Sequence, residues 1–62
     1  MQNPINPWLT IVEVCDELGI GRSTMDDWRR SGRGPEFLRL PNGSLRIRRR
    51  VLDAWTDALE VA

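Results

Sequence analysis

The segment from Thr10 to Gly32, TIVEVCDELGIGRSTMDDWRRSG, leaves room for little except two short helices joined by a tight turn. Thr10 is a helix start signal: its hydroxyl can cap a free N–H, while Glu13, three residues on, reaches back in a capping box. Ile11, Val14, Cys15 and Leu18 follow the i, i+3, i+4, i+7 spacing of a one-sided helix, and Glu13, Asp16 and Glu17 are left for solvent. Gly19 stops this helix by taking the left-handed conformation, and Ile20 folds back onto the apolar stripe. Ser23 restarts a helix as the expected N-cap, with Asp26 near the positive end of the helix dipole. Met25 and Trp28 share one face of this second helix. The opposite face carries Ser23, Asp26, Asp27 and Arg30, with Arg22 and Thr24 at its edges. Gly32 ends it.

Two helices of this length around a glycine-containing turn form the helix-turn-helix pattern, in which the second helix presents its N-terminal residues to base edges. The rest of the chain is too short to host much else. Sixty-two residues make one domain with one small core, and a chain of that size buries only about 60% of its unfolded surface. With no histidine and a single cysteine, it lacks disulfide pairs, the usual zinc ligand sets and the commonest catalytic base, so neither an enzyme nor a metal or cofactor is expected. Cys15 falls on the apolar stripe and reads as a small buried side chain. No stretch approaches the roughly 20 apolar residues of a membrane span, and no signal peptide is visible.

A formal net charge of zero hides a segregation of charge along the chain. From Arg29 to Arg50 there are eight arginines and one acid, Glu36; the remainder holds Arg22 against eight acids. Every basic residue is arginine, which suits bidentate contacts to phosphate and guanine.

Met1 to Pro7, with two prolines and two asparagines, is expected to be a flexible lead-in. Trp8 and Leu9 precede the Thr10 cap, where an apolar residue can staple onto the first turn, and Trp8 is expected in the core. After Gly32, Arg33-Gly34-Pro35 cannot continue a helix. Glu36 to Leu40 and Ser44 to Arg48 are strand candidates, joined across Asn42-Gly43, a strong hairpin signal. In the second strand Leu45 and Ile47 alternate with Arg46 and Arg48; Phe37 is expected inward, and Leu38 and Leu40 are unassigned. The hairpin reads as a wing whose small tip, Asn42, Gly43 and Ser44, enters a minor groove while Arg39, Arg46 and Arg48 flank it near phosphates. A last helix from about Arg49 to Leu59 has Val51 or Leu52, Trp55 and Leu59 as its apolar stripe. Its arginines sit at the N-terminal end and its acids toward the C-terminal end, both against the helix dipole. A broken local rule points to function, and the simplest one is that Arg48, Arg49 and Arg50 bind phosphate.

The run from Trp8 to Trp55, WLTIVEVCDELGIGRSTMDDWRRSGRGPEFLRLPNGSLRIRRRVLDAW, resembles the small winged helix-turn-helix proteins of the excisionase and MerR-like DNA-binding group. The resemblance is carried by the Leu9-Thr10 opening, Glu13, the Leu18-Gly19-Ile20 turn, Arg22-Ser23-Thr24, the stop from Gly32 to Pro35, the Arg46-Ile47-Arg48 strand, and Leu52 with Trp55. It implies a mainly α fold with a small β-hairpin in the order α-α-β-β-α, spanning residues 8–62 after a lead-in of residues 1–7. In excisionases of phages and integrative elements, the second helix enters the major groove and the wing the minor groove. Several copies bind adjacent sites cooperatively and bend the DNA so that an integrase excises the element.

Carried over by position, the resemblance implies base contacts from Arg22, Ser23, Thr24, Asp26 and Asp27, and backbone or minor-groove contacts from Arg39, Asn42, Gly43, Ser44 and Arg46. Arg30, on the outward face of the second helix, and Arg33, Arg48 and Arg49, in the basic block, complete the set of candidate DNA contacts. The expected partners are double-stranded DNA, a cognate integrase and further copies of the chain on DNA, with no membrane and no cofactor, in the bacterial cytoplasm. MerR-type regulators carry a long dimerisation helix after this module; the sequence stops at Ala62, which favours a stand-alone accessory factor. Asp26 and Asp27 depart from the pattern by putting acid on the groove face. Asp26 can pair with Arg22 or Arg30 one turn away, and either aspartate can accept from cytosine N4. Val51 stands where relatives often carry an acid. The alternative readings are a small transcription regulator of the same fold and a module that uses its basic face on an acidic protein.

Overall fold

The computed structural model describes residues 7–61. In chain order they form β1 (Trp8–Leu9), α1 (Ile11–Leu18), α2 (Arg22–Ser31), β2 (Leu38–Arg39), β3 (Leu45–Arg48) and α3 (Arg49–Asp57). Three helices with an antiparallel hairpin make a winged helix-turn-helix, as expected, with one strand added at the front. Of the lead-in expected over residues 1–7, only Pro7 is described. Its carbonyl accepts a hydrogen bond from Arg49 N at 2.9 Å.

The start of α1 follows its sequence signal. Thr10 Oγ1 accepts from Glu13 N at 3.1 Å and Glu13 Oε1 accepts from Thr10 N at 2.8 Å, so two otherwise orphaned donors are satisfied reciprocally. Gly19, at φ 70°, closes the helix: its N–H donates to Asp16 O and that of Ile20 to Cys15 O, the paired bonds of a Schellman ending. Gly32, at φ 75°, repeats the device at the end of α2, with Arg33 N donating to Trp28 O at 2.8 Å.

The start of α2 differs from the expectation. Gly21, in an extended conformation, is the N-cap, so Ser23 lies inside the helix and caps nothing. The Gly21 carbonyl already accepts from Met25 N at 3.2 Å, which draws Arg22 into the first turn, where it can pair with Asp26.

The sheet has the order β1-β3-β2, antiparallel throughout. Trp8 pairs with Arg48 and Leu9 with Ile47; Leu38 pairs with Arg46 and Arg39 with Leu45. Leu9 and Ile47 therefore share the inner face and are buried. Both hairpin strands are shorter than expected: Phe37 packs against the core ahead of the ladder, and Leu40 and Ser44 close the turn. Gly43 N donates to Leu40 O at 2.8 Å, and Leu40 N donates to Ser44 O at 2.7 Å. Gly43 alone has a positive φ, 89°, so the turn is not the type that requires positive φ at both Asn42 and Gly43.

The core consists of Leu9, Ile11, Val14, Cys15, Met25, Ile47 and Leu52, with Leu18, Ile20, Trp28, Phe37, Leu45, Val51 and Trp55 packed around it. Leu52 rather than Val51 is the fully buried residue of α3. Two of the tryptophans expected inside are only half-buried: Trp55 lies against Trp28 with ring centroids 5.9 Å apart, and Trp8 sits on the outer face of the sheet. The helix α3 stops at Asp57, short of Leu59, whose side chain is exposed instead of completing the stripe. An acid in the last turn opposes the helix dipole, and neither a glycine nor a basic side chain closes this end.

Candidate nucleic-acid interface

The turn Gly19–Gly21 sets α2 across α1, and burial of Met25 fixes which face of α2 looks inward. What remains outward is Arg22, Ser23, Asp27 and Arg30, with Thr24 and Asp26 half-buried at the side. A groove runs from the first turns of α1 and α2 to the hairpin, and it is lined by Arg22, Arg29, Arg39 and Arg46 together with Thr10, Gly43 and Ser44. The helix and the wing thus share one continuous concave surface.

The charges on α2 pair with one another. Arg22 Nε donates to Asp26 Oδ1 at 3.2 Å, Arg29 Nη1 lies 3.9 Å from the same oxygen, and Arg30 Nη1 is 3.0 Å from Asp27 Oδ1. Of the two partners expected for Asp26, Arg22 takes it, while Arg30 pairs one residue along. Arg33, past the end of the helix, donates from Nε to Ser31 Oγ at 3.1 Å.

The hairpin arginines have a different environment. Arg39 Nη1 donates to Gly43 O at 3.4 Å and Arg46 Nη1 to Leu45 O at 2.8 Å, both backbone carbonyls of the wing. Arg48 lies over the Trp8 ring, 4.5 Å from its centroid, within cation–π range. None of these three pairs with a carboxylate among the described residues. At the tip, Asn42 Oδ1 accepts from Ser44 N at 2.9 Å, so the asparagine side chain shapes the turn.

Arg49, expected as a phosphate contact, is engaged within the protein. Its Nη1 and Nη2 donate to Glu17 Oε2 and Oε1 at 2.5 and 2.9 Å, a bidentate bridge between the end of α1 and the start of α3. Asp53 Oδ1 stands 3.7 Å from the same guanidinium. The hydrogen bonds from Arg49 hold the Glu17 carboxyl below the usual carboxylate range, and those to Glu17 raise the arginine in turn. A basic residue at the positive end of a helix here has an internal carboxylate to account for it. Glu17, expected only to face solvent, is that partner.

Arg29, which the sequence pattern does not single out, lines the groove and lies over the Phe37 ring at 5.9 Å. Its spacing of seven from Arg22, two helical turns, is the signal that places both on one face. No three histidine, cysteine or carboxylate groups are arranged to hold a metal ion among the described residues, and no helix there is long and apolar enough to cross a membrane.

A family model described as a helix-turn-helix domain matches residues 8–59. No curated protein and no solved structure matches the chain.

Proposed function

The chain belongs to the helix-turn-helix domain family of small DNA-binding domains, and from that premise we propose that it is a sequence-specific excisionase. It binds and bends attachment-site DNA in several cooperating copies and directs a cognate integrase toward excision of a phage or integrative element. The observation that supports this reading best is the arginine-lined groove joining the first turn of α2 to the wing, which matches one helix in a major groove and a hairpin tip in the adjoining minor groove.

In this reading Arg22, Ser23, Thr24 and Asp27 face base edges and Arg30 lies at their border. The backbone of Gly43 and Ser44 forms the minor-groove tip, with Asn42 holding its shape. Arg33, Arg39, Arg46 and Arg48 neutralise phosphates. Arg50, which like them has no carboxylate partner among the described residues, joins this set. The chemistry asks nothing more of the protein than positioning and charge, because the integrase supplies the strand transfer.

The test is a gel-shift titration on attachment-site DNA of the element that encodes the chain against random DNA at near-physiological salt, followed by an excision assay with that element's integrase. Stepwise, cooperative, sequence-dependent shifts and a dependence of excision on the protein are expected. Specific binding without any effect on excision would overturn the excisionase reading and leave a transcription regulator. Binding with no preference over random DNA would overturn both.

A further inference from the structure

We propose that Asp26 is a positioning residue that turns Arg22 into a reader of guanine, so that the preferred DNA site contains one guanine specified by this pair. The inference rests on the DNA-binding reading above and names the base that the first turn of α2 recognises.

A guanidinium can present two pairs of parallel N–H groups to a flat acceptor edge, one that includes Nε and one made of Nη1 and Nη2 alone. In this protein Nε of Arg22 already donates to Asp26 Oδ1 at 3.2 Å, which removes the first edge. The Nη1 and Nη2 groups make no protein hydrogen bond among the described residues, and they project from a side chain that is 57% exposed at the wall of the groove. What remains is a two-donor fork. Guanine alone among the bases offers two acceptors, N7 and O6, side by side in the major groove; adenine replaces one of them with a donor, thymine offers one acceptor beside a methyl group, and cytosine offers a donor.

The carboxylate does more than occupy Nε. Arg22 and Asp26 are one turn apart and hydrogen-bonded, and Arg29 Nη1, on the next turn, lies 3.9 Å from the same oxygen, so two cations attract the aspartate. An arginine tethered this way enters the groove with its long side chain already oriented, which lowers the entropy lost per hydrogen bond formed. The pairing also competes with the nearest phosphate for the guanidinium. An acid on a DNA-facing helix, unfavourable by charge alone, is explained by this division of labour.

The experiment is selection of binding sites from a randomised DNA pool by the full chain, carried out for the wild type and for Arg22→Lys, Asp26→Ala and Asp16→Ala, with the affinity of each for random DNA and its thermal melting measured alongside. The wild type is expected to select a guanine that discriminates by about fivefold or more over other bases at that position. Arg22→Lys, which keeps the charge and loses the fork, should abolish that preference while binding random DNA about as well. Asp26→Ala should weaken the guanine preference and strengthen binding to random DNA, since it removes a negative charge and frees the arginine for phosphate. Asp16→Ala removes the same charge from an exposed position on α1 and should leave the guanine in place.

A merely structural role for Asp26 would lower both affinities and the melting temperature together, and that result would overturn the proposal. Selection of sites whose bases are unmoved by Arg22→Lys and Asp26→Ala would overturn it too, while leaving DNA binding intact. A wild type that selects no sequence at all would overturn both this inference and the reading on which it rests.

Discussion

The arginines of α2 and those of the wing differ in what holds them. On α2, Arg22, Arg29 and Arg30 each have a carboxylate of the same helix within 4.0 Å, and three cations share two acids. On the wing and at its exit, Arg39, Arg46 and Arg48 rest on carbonyls or an aromatic ring. The first surface is nearly neutral and geometrically restrained; the second is cationic, with its charge uncompensated by any ion pair among the described residues. In a DNA-binding protein these suit different tasks. Net positive charge attracts phosphates whatever the sequence, whereas oriented donors on a helix distinguish bases.

The division holds only if both regions belong to one folding unit, and that is where the largest effects are expected. Met25 anchors α2 and Ile47 anchors the wing strand, and both are fully buried in the same cluster. Met25→Ala and Ile47→Ala should each cost about 2 to 5 kcal/mol. For so small a domain, either loss should remove most of the folded population, with helix and wing lost together. Chemical denaturation followed by far-UV circular dichroism and by tryptophan fluorescence checks this: the first reports the helices, and the second Trp8 on the sheet with Trp28 and Trp55 on α2 and α3. Transitions that separate in the two probes would split the molecule into independent regions.

The next effect separates the tasks. Arg22→Ala should cost about 1 to 3 kcal/mol on the preferred site and little on random DNA. Arg39→Ala should weaken both about equally and reduce the slope of log affinity against log salt by about 0.9. Arg46→Ala should behave like Arg39→Ala. Equal losses on specific and random DNA for Arg22→Ala would erase the distinction between the two surfaces.

Smaller still is the effect of the two glycines that end the local elements. Gly19 closes α1 and Gly43 closes the wing turn, at φ 70° and 89° with open space where a Cβ would stand, so only the backbone conformation resists a side chain. Alanine at either position should cost about 1 to 2 kcal/mol. Gly43→Ala is expected to weaken DNA binding beyond its effect on melting, because it also moves the wing tip, whereas Gly19→Ala should act through stability alone.

The part of this molecule legible in the sequence is the part held by near neighbours. Thr10 with Glu13, Gly19 with Ile20, and Gly32 are short-range devices whose partners lie within a turn, and each appears as read. Ser23 is not the cap because the helix begins two residues earlier, where the Gly21 carbonyl accepts from Met25 and Arg22 comes within reach of Asp26. The two-residue strand β1 was not legible, since it has no pattern of its own and exists only by pairing with β3 from the far end of the chain. Leu59 fits the helical period but lies beyond an end that the acids of α3 weaken. Among the site residues, periodicity found the outward face of α2 but could not say which aspartate each arginine would take. Nothing in the local pattern pairs Arg49 with Glu17, because that carboxylate lies 32 residues away, on another helix.

That bridge gives the smallest of these effects and the sharpest test of the comparison, because it is the one arginine of the basic C-terminal block that behaves like those of α2. Glu17 and Arg49 are 42% and 31% exposed, so solvent screens them and the bridge is worth about 1 kcal/mol or less despite its bidentate geometry. The folded carboxyl sits below its ordinary range, so its contribution is fully present above the unfolded value of about 4.3 and is lost as the pH falls through the lower folded value. Glu17→Gln should therefore lower the melting temperature at pH 7 by no more than about 4 to 8 °C, and the gap from the wild type should close on acidification, when the wild-type carboxyl also becomes neutral. A gap that persisted at acid pH would place the effect in packing. The same substitution releases Arg49 from its only bidentate partner, at the N-terminal end of α3 beside Arg48 and Arg50. If the wing side of the molecule acts through uncompensated charge, freeing one more arginine there should strengthen binding to random DNA and steepen its salt dependence by up to about 0.9, even though the protein has become less stable. Lower stability with unchanged salt dependence would mean that position 49 lies outside the reach of phosphate, and that the charged surface ends at Arg48 and Arg50.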